Sequence, residues 1–143
     1  MTQTLQKWFW MLLAPALVGL GGVWFLRLRG IFEPGLPAGT TAWAVALFVL
    51  AIVTAGAVPI IGRAYFVHRV RHRRQVSEGE FYRFQRRQVL VVMATPYIAL
   101  AAYALAVPGF YLTGIQLAML YALYYHFPSR RRVGFDRRIF RVR

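Results

Sequence analysis

Three histidines carry most of the chemistry open to this chain. His68 and His72 stand four residues apart, on one face of any helix that holds them, and His126 closes a separate apolar segment. Histidines at i, i+4 suit zinc, and a pair from two helices suits the axial positions of a b-type haem. Both uses fit poorly, because these histidines lie among arginines that repel a dication and no carboxylate is placed to support them. No metal and no cofactor is therefore expected, with His68, His72 and His126 kept as the weak haem candidates. Their simpler role is as part of a basic interfacial surface.

The other reactive types are sparse. Cysteine is absent, which removes disulfides, thiolate metal sites, CxxC redox pairs and covalently attached c-type haem. Seventeen arginines and one lysine face only Glu33, Glu78, Glu80 and Asp136, for a net charge of +14. A lipid-modifying enzyme would need a reactive group at a membrane boundary, where only His68, His72, His126, Asp136 and the tyrosines qualify. A non-enzymatic role is the stronger expectation.

The elements that must position these residues are apolar helices. Apolar residues make up 59 % of the chain and aromatics 16 %, within a length that holds a single unit, residues 1–143. Four segments read as transmembrane spans, at about 8–26, 41–61, 89–107 and 110–127, each near the length needed to cross ~30 Å of hydrocarbon. The first is too long for a signal-peptide core, contains Pro15, and has no small-x-small cleavage site. A loop with Glu33, Pro34, Gly35, Pro37 and Gly39 joins the first two, and Pro108-Gly109 is a tight turn between the last two. The expected fold is an all-α integral membrane protein whose four transmembrane helices form two antiparallel hairpins.

Between spans two and three lies a basic hinge, residues 62–88. Ser77 and Glu80 match a capping box, so a helix should begin near Glu78. The preceding helix has no stop before Gln75. Together they read as a cytosolic helical hairpin extension. A basic tail, residues 128–143, carries Phe135, Ile139 and Val142 at helical spacing and reads as an amphipathic helix on a membrane surface.

Charge sets the orientation. The N-terminal tail, hinge and C-terminal tail hold sixteen basic residues, and the two opposite loops hold two. The positive-inside rule then puts both termini in the cytoplasm of what reads as a bacterial inner membrane. Nucleic acid is not an expected partner, because these charges flank apolar spans. The arginines at 69, 71, 73, 74, 83, 86, 87, 130, 131, 132, 137 and 138 (Arg69, Arg71, Arg73, Arg74, Arg83, Arg86, Arg87, Arg130, Arg131, Arg132, Arg137, Arg138) are expected to meet anionic phospholipid or an acidic partner. Arg86, Arg87 and Gln88, with Phe81, Tyr82 and Phe84 nearby, form a candidate lipid headgroup pocket.

Inside the spans there is no Asp, Glu, Lys, Arg or His away from the ends, so the usual marks of proton relays and ion paths are missing. The interior polar residues are Thr54, Thr95, Thr113 and Gln116. Gln116 is expected to hydrogen-bond a neighbouring helix. Small residues Ala42, Ala46, Ala51, Ala55 and Gly56 suit close helix packing. The functional expectation is a non-catalytic accessory or assembly subunit of a larger membrane complex. The alternative is a small homo-oligomeric transporter, channel or lipid-handling protein, which requires the four interior polar residues to share one path.

Overall fold

The computed structural model describes residues 2–31, 41–71 and 75–140, and every regular element among them is a helix. α1 spans Thr2–Leu28, α2 Thr41–Ile52, α3 Val58–Val70, α4 Glu78–Val92, α5 Ala94–Ala104, α6 Gly109–His126 and α7 Arg130–Ile139. A five-residue π segment, Val53–Ala57, joins α2 to α3 without interruption. Three helices are long and apolar enough to cross a membrane: Gln3–Leu28, Ala42–Val70 and Glu78–Ala104. α6 is 18 residues long, but Gln116, four tyrosines and His126 dilute its apolar content.

Prolines explain where these helices deviate. Proline lacks an N–H, so the carbonyl four residues earlier loses its donor and the helix bends or re-registers. Pro59 leaves Ala55, and the helix answers with the π segment, in which the Val58 N–H reaches back to the Val53 carbonyl. Pro96 leaves Val92, and α4 ends there, with Met93 as a single-residue break before α5. Ser77 caps α4 by accepting from the Glu80 N–H at 3.3 Å, as its sequence pattern predicts. Ser129 caps α7 in the same way through Arg132.

Two helix ends use a left-handed residue. Past α1, Gly30 takes φ 64° and the Ile31 N–H bonds the Leu26 carbonyl. Past α5, Ala106 takes φ 53° and the Val107 N–H bonds the Ala102 carbonyl. The chain thus reverses at 105–108, and Pro108-Gly109 opens α6 instead of forming the turn. Glycine adopts this conformation freely, whereas alanine is strained in it.

Packing is organised around α5. α1 lies against α4 and α5, while α2 and α6 pack on each other and also on α5. The first two helices, expected as a hairpin, both pack on α5. Ala44, Ala51, Ala99 and Ala102 are buried where these helices meet. Ala42 and Ala46, expected to serve the same purpose, are exposed. Gly114 admits the Phe48 ring, and Gly19 admits the Leu100 side chain.

A second core sits at the arginine-rich end. Leu5, Phe66, Val70, Val76, Phe81, Val133 and Phe140 are buried together, drawn from α1, α3, the turn before α4, α4, α7 and the residue after it. Phe66 stacks on Phe84 with centroids 4.2 Å apart, and Phe140 meets Phe66 edge-on at 5.2 Å. The hinge and the tail, which read as separate basic elements, are thus one cap over a phenylalanine core. The tail helix, expected to lie on a membrane surface, is anchored to the fold by Val133 and Phe140. Its Phe135 and Ile139 remain exposed, and Val142 is outside the described residues.

Candidate functional site

The polar residues of the cap converge where side chains of α7 meet those of α3 and α4. Asp136 is buried and ion-pairs with Arg63 of α3, while Gln85 of α4 donates to its other oxygen at 3.1 Å. One carboxylate thereby joins three helices. Arg137 adds a pair with Glu78 at 2.8 Å, and Gln6 of α1 donates to the Pro128 carbonyl. Outer pairs of this kind contribute little, whereas the buried Asp136 depends on its partners.

His126 also points into this region. It lies close to the backbone of Ala55, whose carbonyl Pro59 leaves without an α-helical donor. Gln88 of α4 donates to the Pro59 carbonyl at 3.0 Å. Side chains from α4 and α6 therefore meet the second helix at and just after its π segment. His126, Asp136, Arg63 and Arg132 line one cavity of about 610 Å³. Arg63 and Asp136 are engaged with each other there, Arg132 lies over the Tyr125 ring at 4.2 Å, and the His126 ring meets that of Tyr125 edge-on.

His68 is exposed on α3. Ala55, which marks the position of His126, lies thirteen residues earlier on the same continuous helix, a separation of roughly 20 Å. His68 and His126 therefore cannot ligate one iron. His72, Arg73 and Arg74 fall outside the described residues, as does the side chain of Arg130. Among the described residues no three ligating side chains come together for a metal.

The remaining arginines divide by partner. Arg86 lies over the Trp8 ring at 4.7 Å, tying α4 to α1, so it does not join Arg87 in the expected pocket. Phe81 is likewise withdrawn into the core. On the opposite side of the α3–α4 pair, a groove of about 500 Å³ is lined by Arg69, Arg83, Arg87 and Glu80 together with apolar residues. Arg71 is exposed near the end of α3, and Arg131 and Arg138 are exposed on α7. At the other end of the fold, Arg27 donates to the Tyr103 carbonyl and covers its ring at 4.4 Å, fastening α1 to α5.

The interior polar residues do not form a path. Thr54 and Thr95 bond each other through their hydroxyls at 3.0 Å, with Thr95 fully buried. Thr113 is exposed and returns its hydroxyl to the Gly109 carbonyl. Gln116, expected to bond a neighbouring helix, is instead on the outward face of α6 beside exposed Leu117 and Leu120. The sequence gives the depth of Gln116 along the segment but not its rotation, because nearly uniform apolarity around α6 leaves no face marked as interior. Comparison of the chain with family models, with curated proteins and with solved structures gave no match.

Proposed function

We propose that this chain is a non-catalytic subunit of a larger membrane complex, seated in a bacterial inner membrane by four spans. In this reading α1, the α2–α3 helix, the α4–α5 helix and α6 cross in alternating directions, giving two hairpins in sequence. Both termini and the arginine-rich cap lie in the cytoplasm, as the excess of basic residues at one end requires. The observation that carries the reading is Gln116. A carboxamide midway along an apolar helix, on its outward face, has no partner among the described residues and would be costly against lipid. A helix of another subunit that offers a donor or acceptor removes that cost.

Two features support the same reading. Only 17 % of the apolar window of α1 and 22 % of that of the α2–α3 helix is buried, leaving wide faces for neighbours. Asp136 is paired and Thr54, Thr95 and Thr113 are hydrogen-bonded away from a shared path, which weighs against transport. A second copy of the chain could also cover Gln116, so a homo-oligomer is the competing assembly.

The test is a pull-down of tagged full-length chain at native abundance in mild detergent, read by mass spectrometry. Stoichiometric recovery of other membrane subunits, reduced in Gln116→Leu, is the expected result. Recovery of the chain alone, or only of further copies of itself, overturns the accessory reading.

A further inference from the structure

The groove between α3 and α4 has a chemical gradient along its length. Its inner end is apolar, formed by Val58 of α3 and Val91 of α4. Outward from Val91 along α4 come Arg87, Phe84 and Arg83, and Arg69 of α3 lies at the outer end. The two walls are regular stripes. On α4 the residues at 80, 83, 84, 87, 88 and 91 share a face, and on α3 those at 58, 59, 62, 65, 66 and 69 do. Twelve residues of helix on each wall, eleven steps of ~1.5 Å, give the groove a length of roughly 16 Å.

Charge outward of Val91 is unbalanced. Three arginines meet one carboxylate, Glu80, and among the described residues Arg69, Arg83 and Arg87 have no acidic partner. Arg83 is steadied by its own helix, its Nε donating to the Gly79 carbonyl. Gly62 keeps the groove open where the helices approach, since a Cβ there would lie 3.3 Å from Gln88 Nε2.

We propose that this groove binds one anionic glycerophospholipid, with its phosphate on Arg69, Arg83 and Arg87 and an acyl chain along Val58 and Val91. An inner apolar end continuous with membrane-spanning helix and an outer cationic end match an amphiphile better than a free anion. Guanidinium groups suit phosphate because their paired N–H donors match its oxygens. Neither the complex nor the partner at Gln116 is needed for this site, so the two proposals fail independently.

The test is native mass spectrometry of purified full-length chain, mixed with phosphatidylglycerol or phosphatidylcholine in mild detergent. Phosphatidylglycerol should be retained preferentially, and Arg83→Gln with Arg87→Gln should weaken retention by about tenfold or more. Arg131→Gln with Arg138→Gln makes the same change of charge on α7 and should leave retention intact. Equal loss in the two double variants, or equal retention of the two lipids, overturns the proposal in favour of general charge attraction. Displacement of phosphatidylglycerol by millimolar inorganic phosphate would assign the arginines to a free anion and overturn it as well. Gly62→Leu fills the groove without altering charge and should also abolish retention. Undiminished binding by that variant would mean the lipid sits elsewhere.

Discussion

Asp136 and Arg63, 73 residues apart in sequence, form the ion pair that locks α7 onto α3. The carboxylate is almost completely buried, while the arginine side chain keeps 40 % of its surface exposed. Arg63→Met leaves Asp136 with Gln85 alone. A fully buried pair broken in this way costs about 3–5 kcal/mol, and the solvent reaching Arg63 lowers the expectation to about 1–3 kcal/mol. Thermal unfolding in detergent should show the loss, with faster proteolysis of α7. An unchanged melting temperature would mean that the pair does not hold the cap.

Phe140→Ala should open the same cap from its apolar side. The ring meets Phe66, Phe81 and Phe84, and its removal is expected to cost about 3 kcal/mol. Hydrogen exchange should rise at the ends of α3 and α4 and stay unchanged in α5, which lies away from the cap.

Gly114 and Phe48 make the tightest small-to-large contact between α2 and α6. Gly114→Ala puts a methyl into the ring and should destabilise by about 1–3 kcal/mol. Phe48→Leu in the same chain should recover part of that loss, a coupling readable from a double-mutant cycle. Gly19→Ala should cost less, because Leu100 can change rotamer.

Ala106→Gly is expected to stabilise. The residue holds φ 53° at the end of α5, a conformation glycine adopts without strain, and the gain should be about 0.5–1 kcal/mol. A lower melting temperature would contradict the assignment of strain to this turn.

Gln116→Leu should leave the melting temperature of the isolated chain unchanged or slightly raised, since the carboxamide is exposed and hydrogen-bonds no described residue. Association with partner subunits should fall. A variant that loses monomer stability would show that Gln116 has an internal role.

Legibility in the sequence followed locality. The helical content, the membrane-length apolar helices and the start of α4 were readable from composition, periodicity and the Ser77–Glu80 spacing, all short-range signals. The destination of α7 was not, because the segment carries two competing stripes. Phe135 and Ile139 suggested a surface helix, while Val133, Asp136 and Phe140, at equally helical spacing, form the face that is buried. A lone aspartate among seven arginines was the available clue. Its partner lies too far away in the chain for spacing to reveal it. The π segment was foreshadowed only by Pro59. The groove was half legible: Arg87, Gln88 and Phe84 line it, but the sequence also enrolled Arg86, whose place over Trp8 depends on α1.

The phenylalanine core of the cap also imposes an order on biosynthesis. Phe66 and Phe81 are translated well before Phe140, the ring that covers them. At roughly 5–20 residues per second, Phe66 waits roughly 4–15 s for that ring to leave the ribosome. During this interval the nascent hinge exposes aromatic side chains beside a run of arginines, the surface that chaperones and quality-control proteases recognise. Completion of α7 is thus the step at which the newborn chain stops presenting itself as unfinished.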